Sequence, residues 1–173
     1  MAETYESRRT HYVTVTLGSP DFTIFAEMTS DLIAAANSGD ANAVRELERT
    51  FGTSETLAVY GSLAPGKSNY HIVEPLGGEW TDGFIEGDLF QTGWGAALGY
   101  WAFRPRVGGE RIAVKVLTSP RLSGAWQMLD DFEGSEYERI LVAVFRNGSA
   151  EPPELLTVAN IYAASEHETP PED

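Results

Sequence analysis

The sequence predicts an α+β protein whose sheet is mostly antiparallel and could close into a barrel. From residue 57 onward, short strand-like runs are divided by glycine and proline. One helical segment interrupts these runs, and crossover helices of the kind that parallel strands need are scarce. Asn147-Gly148, a dipeptide typical of hairpin turns, separates the last two runs.

Composition limits the class of protein. The chain has 173 residues, 42% of them hydrophobic, which suits one domain with its own core. Its net charge of -14 repels phosphate backbones and anionic membrane surfaces, so we expect no nucleic-acid partner and no membrane association. There is no cysteine, no apolar run of membrane-spanning length and no secretory signal pattern. We therefore expect a cytoplasmic protein.

The segments in chain order suggest three regions. Residues 1–54 form an N-terminal extension, with a period-two strand at 12–17 and helices at 32–36 and 43–50. Residues 55–164 form the barrel domain, and residues 165–173 form an acidic flexible tail. The predicted strands of the barrel domain cover 57–60, 84–90, 112–118, 140–145 and 155–163.

The helical segment carries one carboxylate in an unusual position. Leu122, Trp126, Leu129 and Glu133 are spaced by four, three and four residues, so they share one helical face. Glu133 thus continues an apolar stripe and is predicted to point toward the core. A structural hydrogen-bonding role is the alternative for a glutamate in that position.

The limits of this helix follow from its end residues. Ser119 suits the N-cap, Pro120 the first helical position, and Gly134 the left-handed residue after the last turn. Glu133 would then end the helix, where the negative end of the helix dipole disfavours its charge. Apolar neighbours such as Phe132 act in the same direction, so the pKa of Glu133 should be raised. A raised carboxyl pKa suits acid and base chemistry near neutral pH.

Two glycine-containing segments could contact a ligand. In residues 60–66, Gly61 permits a sharp turn after a strand, where backbone N–H groups could bind an anion; an ordinary turn is the alternative. In residues 93–100, Trp94 or Tyr100 could form a pocket wall, although packing could require the same residues. Ser62 lacks the G-x-S-x-G context of a hydrolase nucleophile.

The remaining polar residues do not predict a metal site. The acidic residues near the helix lack calcium-loop spacing and a nearby histidine; they are Asp130, Asp131, Glu133, Glu136 and Glu138. All of them except Glu133 are predicted to form a solvated face. His71 is predicted to be exposed or structural. We therefore expect no bound metal.

Taken together, several motifs resemble the γ-glutamylcyclotransferase-like family. They are Tyr60-Gly61-Ser62-Leu63 with the following Ala64-Pro65-Gly66 and Asn69, then Leu129-Asp130, Glu133-Gly134, Tyr137 and Arg139, then Gly87, residues 93–100 and Ala159-Asn160-Ile161-Tyr162. Their order and spacing match the family over residues 57 to about 163.

The resemblance implies a small, mostly antiparallel β-barrel with flanking helices. It also implies that a γ-glutamyl amine or γ-glutamyl amino acid cyclises to 5-oxoproline and releases the free amine, without a cofactor. The essential acid–base residue would be Glu133. The substrate would be bound by the loop and two tyrosines: Tyr60, Gly61, Ser62, Leu63, Tyr137 and Tyr162.

Several points stay open at this stage. Tyr137 or Tyr162 could place a hydroxyl near the oxyanion or near Glu133, and aromatic packing is an equal alternative for each. A non-catalytic module could use the same pocket for a small ligand. The first fifty residues could cover the barrel or form a dimer contact. Arg139 is expected to form a structural ion pair.

Overall fold

The computed structural model describes residues 20–90, 101–148 and 152–165. Its helices are α1 (Pro20–Asn37), α2 (Ala41–Phe51), α3 (Tyr70–Val73) and α4 (Trp126–Glu133). Its strands are β1 (Thr56–Val59), β2 (Glu79–Phe90), β3 (Ala102–Pro105), β4 (Glu110–Thr118), β5 (Tyr137–Phe145) and β6 (Leu155–Ala164). The predicted strand at 12–17, the segment 93–100 and the tail from 166 onward lie outside the described residues.

The strands close into a barrel. The sheet order is β3-β2-β4-β1-β6-β5, and a further pairing between β2 and β5, Phe84 with Phe145, joins the two sides. Five strands therefore form the closed barrel, and β3 extends it beside β2. The pairings are antiparallel except for that of β1 with β6. This confirms the predicted fold class.

The barrel interior is filled by small and branched side chains. On β4, Ile112, Val114 and Val116 are buried, while Ala113 and Lys115 between them are exposed, as expected when successive side chains point to opposite faces. Phe103 on β3, the largest fully buried side chain, belongs to the same cluster. Burial of each such side chain contributes roughly 1.5–3 kcal/mol.

Strand β1 is buried on both faces, and this fixes α4 against the barrel. Ala58 belongs to the interior cluster, whereas Leu57 packs in a second cluster outside it. That outer cluster includes Leu122 and Leu129, both with no exposed surface. The apolar stripe predicted from the sequence therefore packs on the barrel, with Leu129 on α4 and Leu122 in the turn before it.

The predicted start of this helix is wrong. The chain forms a 3-10 turn over Leu122–Gly124, and α4 begins only at Trp126. Ser119 accepts a hydrogen bond from the Arg121 N–H (3.2 Å) and donates one to the Leu76 carbonyl (2.8 Å). A glycine at position 124 disfavours continuous helix, and the tighter turn keeps Leu122 buried.

The glycine after α4 also differs in part from the prediction. Gly134 has a positive φ of 73°, as expected, but its ψ of -170° is extended rather than left-handed helical. The chain thus turns directly from the end of α4 toward β5.

Helices α1 and α2 cover the outer face of β5 and β6. Leu47 on α2 packs with Leu141 and Val158 in a third buried cluster. The Asn37 amide donates to the Leu141 carbonyl (2.9 Å) and accepts from the Leu141 N–H (2.8 Å). Since β5 pairs with β2 only at Phe145, Asn37 satisfies backbone groups that this edge leaves open. The dimer contact through this region stays a prediction.

Strand β3 has no counterpart in the sequence prediction. It has only four residues, and two of them are Arg104 and Pro105, so its pattern is too short to recognise. Strands β5 and β6 pair antiparallel as expected, and Asn147-Gly148 lies in their connection. None of the helices in the described segments has the length and hydrophobicity to cross a bilayer.

Barrel closure depends on a close approach at Gly83. A Cβ atom there would lie 2.8 Å from the Phe145 carbonyl oxygen and 2.9 Å from a methyl group of Val144. We predict that Gly83→Ala lowers the free energy of unfolding by about 1–3 kcal/mol, as overpacking does. Urea denaturation measures this. Gly124→Ala, whose Cβ would meet no atom within 4 Å, is the matched control. Equal effects of the two changes would contradict the argument.

Candidate active site

A pocket of about 500 Å³ opens at the end of β1. It lies between the loop after β1, the end of α4 and the start of β5. All the binding and catalytic residues predicted from the sequence line it together: Tyr60, Gly61, Ser62, Leu63, Glu133, Tyr137 and Tyr162. Lys67, Trp101, Phe132 and Glu136 also line this pocket.

The loop after β1 is held in shape by Asn69. The Asn69 N–H donates to the Ser62 carbonyl (3.0 Å), and its side-chain amide donates to the Ser62 hydroxyl (2.9 Å). The Ala64 N–H donates to the Gly61 carbonyl (3.2 Å). Asn69 belongs to the motifs that resemble the family, but the sequence alone predicts no role for it. Its role in closing the loop depends on side-chain geometry that the sequence does not show.

Gly61 does not serve the turn as expected. Its φ is not positive, and a Cβ added there would meet no atom within 4 Å. The left-handed position of this loop is Gly66, with φ 77°. Because Gly61 lines the pocket, the missing side chain leaves space on the pocket side instead of relieving strain.

Glu133 is the last residue of α4 and lies half-buried in the pocket wall. It is one turn beyond the fully buried Leu129, so the stripe ends at the pocket and not in the sealed core. Burial raises the pKa of Glu133 from an ordinary 4.5 to about 7. The expected direction is therefore present, and burial is its cause.

Two tyrosine hydroxyls are engaged within the protein. Tyr60 donates to the Tyr162 carbonyl (3.1 Å), and Tyr162 donates to the Asp130 carboxylate (2.7 Å). Burial is the main factor that raises the pKa of each phenol. Tyr137 is half-buried and packs in the outer cluster with Leu129. The hydroxyl groups of Tyr60 and Tyr162 thus remain protonated in the neutral pH range.

Two members of the acidic cluster do not form a solvated face. Asp130 is half-buried and accepts two hydrogen bonds from Arg139, which hold the pKa of its carboxyl below the ordinary range. Glu136 is also half-buried and lines the pocket. Asp131 and Glu138 are exposed, as predicted. The sequence contains one indication that Asp130 is not fully exposed. It lies three residues before Glu133, so both residues share one helical face.

The structure gives no metal-ligand cluster within residues 20–90, 101–148 and 152–165. His71 is exposed, as predicted, and its Nδ1 lies 3.2 Å from the Ser68 carbonyl oxygen.

The sequence of the pocket-forming region matches a known family. Residues 57–172 match the family model described as gamma-glutamyl cyclotransferase, AIG2-like. The chain belongs to this family. Membership supports a γ-glutamylcyclotransferase-type activity at the level of the family, which also includes members of uncertain activity.

A solved mouse structure shows the same fold at low identity, and an Arabidopsis structure is similar to part of the chain. A mouse AIG2-like protein is 19% identical with a TM-score of 0.50, covering 64% of this chain and 77% of the mouse chain. An Arabidopsis thaliana protein is 22% identical with a TM-score of 0.46, covering 67% and 72%. No curated protein sequence matches this chain significantly.

The raised pKa of Glu133 predicts a pH dependence of stability. A carboxyl whose pKa is higher in the folded state contributes stability below pH 4.5, and this contribution is lost as the pH rises through about 7. We expect the free energy of unfolding of the wild type, relative to Glu133→Gln, to fall over this range. Urea titrations of both proteins at several pH values measure it. The variant removes only this carboxyl, so a constant difference would contradict the assignment.

Proposed function

We propose that this protein is a γ-glutamylcyclotransferase that converts a γ-glutamyl amine or γ-glutamyl amino acid to 5-oxoproline and a free amine. The observation that carries the proposal is the half-buried Glu133 carboxyl, whose pKa is about 7, beside the loop 60–63 in one pocket. Family membership supports the same reaction class.

The proposed reaction needs one proton carrier. Glu133 removes a proton from the α-ammonium group of the substrate, and the neutral amine attacks the γ-carbonyl carbon. A C–N bond forms to close the five-membered lactam. The protonated Glu133 then donates its proton to the leaving nitrogen as the original γ-amide bond breaks. The Glu133 carboxylate then takes the second proton from the ring nitrogen, which leaves a neutral lactam, and passes it to the released amine, which departs as an ammonium ion. Glu133 ends as a carboxylate, and the atoms and charges balance without a cofactor.

The loop after β1 would position the substrate. Backbone N–H groups of Gly61, Ser62 and Leu63 would bind the α-carboxylate, because anions bind well where successive N–H groups converge. Holding the carboxylate there brings the α-amine and γ-carbonyl of a flexible chain together, which supplies much of the rate enhancement. Support for this role comes from the Asn69 hydrogen bonds that fix the loop.

Removal of the proton carrier should abolish turnover. We predict that Glu133→Gln reduces 5-oxoproline formation from a panel of γ-glutamyl amines and amino acids by at least about 100-fold. The amide keeps the shape of the side chain but can neither take up nor release a proton near neutral pH. Chromatographic detection of 5-oxoproline is the assay.

The matched control is Asp131→Asn on the same helix. Asp131 is exposed and accepts a hydrogen bond from Gln127. It should retain full activity. Full activity of Glu133→Gln would exclude the mechanism. Binding of γ-glutamyl compounds by the wild type without product would instead favour a non-catalytic binding module.

Gly61 offers a second test. Because its Cβ position is open in the folded protein, we predict that Gly61→Ala changes the free energy of unfolding by less than about 0.5 kcal/mol. A methyl group facing the pocket should nevertheless obstruct the α-carboxylate and raise KM at least several-fold. Steady-state kinetics and urea denaturation measure the two effects. An unchanged KM would contradict substrate binding at this loop.

A further inference from the structure

Asp130 lies between a cation and a pocket phenol. Its Oδ1 accepts hydrogen bonds from Arg139 Nε (2.8 Å) and from the Tyr162 hydroxyl (2.7 Å), and its Oδ2 accepts one from Arg139 Nη2 (3.1 Å). The two bonds from Arg139 have the paired geometry typical of guanidinium and carboxylate groups. Asp130 therefore joins Arg139 to the wall of the active-site pocket.

Arg139 is itself held on two further sides. Its guanidinium carbon lies 4.5 Å from the centre of the Trp126 ring, and its Nη1 lies 3.4 Å from the Asn160 side-chain oxygen. The Asn160 amide in turn donates to the Thr53 carbonyl (2.6 Å), which anchors the Asn160 side chain to the segment just before β1. A fixed cation at this distance keeps Asp130 ionised at neutral pH.

The ionisation of Asp130 decides which way the Tyr162 hydroxyl points. A carboxylate only accepts hydrogen bonds, so Tyr162 must be the donor in the 2.7 Å contact. A phenol has one proton, and here that proton is directed to Asp130. Toward the pocket, the Tyr162 oxygen can only accept.

This polarity restricts the substrate group that Tyr162 can contact. The α-carboxylate and the γ-carbonyl oxygen of a γ-glutamyl compound are acceptors, so neither can pair with an acceptor. Its donors are the single N–H of the γ-amide and the α-ammonium group, which carries three N–H donors, of which Glu133 needs one. Glu133 acts electrostatically on Tyr162, which is consistent with the two groups facing the same part of the pocket.

We propose that Asp130, fixed by Arg139, is a positioning residue that makes Tyr162 the hydrogen-bond acceptor for the substrate α-ammonium. Asp130 and Tyr162 together thereby select compounds with a free α-amine. This inference rests on the proposed function and deepens it. It also removes Tyr162 from the candidates for an oxyanion donor, because its single proton is already donated.

The test separates recognition of the amine from general binding. In the Glu133→Gln background, which does not consume the ligand, calorimetry compares γ-glutamyl-alanine with N-glutaryl-alanine, the same molecule without the α-amine. Tyr162→Phe should weaken binding of γ-glutamyl-alanine roughly tenfold, as for loss of a hydrogen bond to a charged group, and leave N-glutaryl-alanine unchanged.

Equal weakening of both ligands, or of neither, would overturn the inference while leaving the proposed function intact. Failure of the Glu133→Gln parent to bind either ligand would overturn the proposed function itself. The phenylalanine ring keeps the packing of Tyr162, and thermal unfolding confirms that each variant is folded.

The positioning role of Asp130 has its own test in the same assay. Asp130→Asn should weaken γ-glutamyl-alanine binding when Tyr162 is present and have no further effect when Tyr162→Phe is also present. A merely structural role of Asp130 would weaken binding equally in both backgrounds, and that result would overturn the assignment. Asp131→Asn again serves as the control.

Discussion

The anchoring of α4 on β1 is the constraint on which the site depends. Leu129 on α4 and Leu122 in the 3-10 turn before it have no exposed surface, and they pack with Leu57 outside the barrel. This contact fixes the rotation of the helix about its axis, so Glu133 reaches the pocket wall at its end. Burial then raises the pKa of Glu133 to about 7. A rotation that exposed the carboxyl to bulk water would remove both its position and its altered pKa.

The same helical face holds two carboxyl groups whose pKa values are shifted in opposite directions. Asp130 has the Arg139 guanidinium as a partner, so its pKa is lowered, whereas burial raises the pKa of Glu133. Neighbouring carboxyl groups with separated pKa values are a common basis for dividing roles in an active site. Here the proposal gives proton transfer to Glu133 and orientation of a phenol to Asp130.

The site is assembled where the barrel has its parallel strand pair. Leu57 on β1 is paired with Asn160 on β6, and the Asn160 side chain contacts both Thr53 and Arg139. The end of β1 leads directly into the loop 60–63, and β6 carries Tyr162 into the same pocket. Helices α1 and α2 cover the neighbouring outer face of β5 and β6, so the N-terminal region supports the wall behind this network.

The sequence by itself determined the fold class and the phase of α4, because these follow from local periodicity. Its motifs grouped Glu133 with the loop after β1 through their resemblance to the family. It did not reveal β3, which is too short for a recognisable pattern, or the 3-10 turn before α4. Only the tertiary structure decided the contacts of Asp130. Its partners Arg139 and Tyr162 lie 9 and 32 positions away in the chain, and their contact depends on how β5 and β6 pair beside α4.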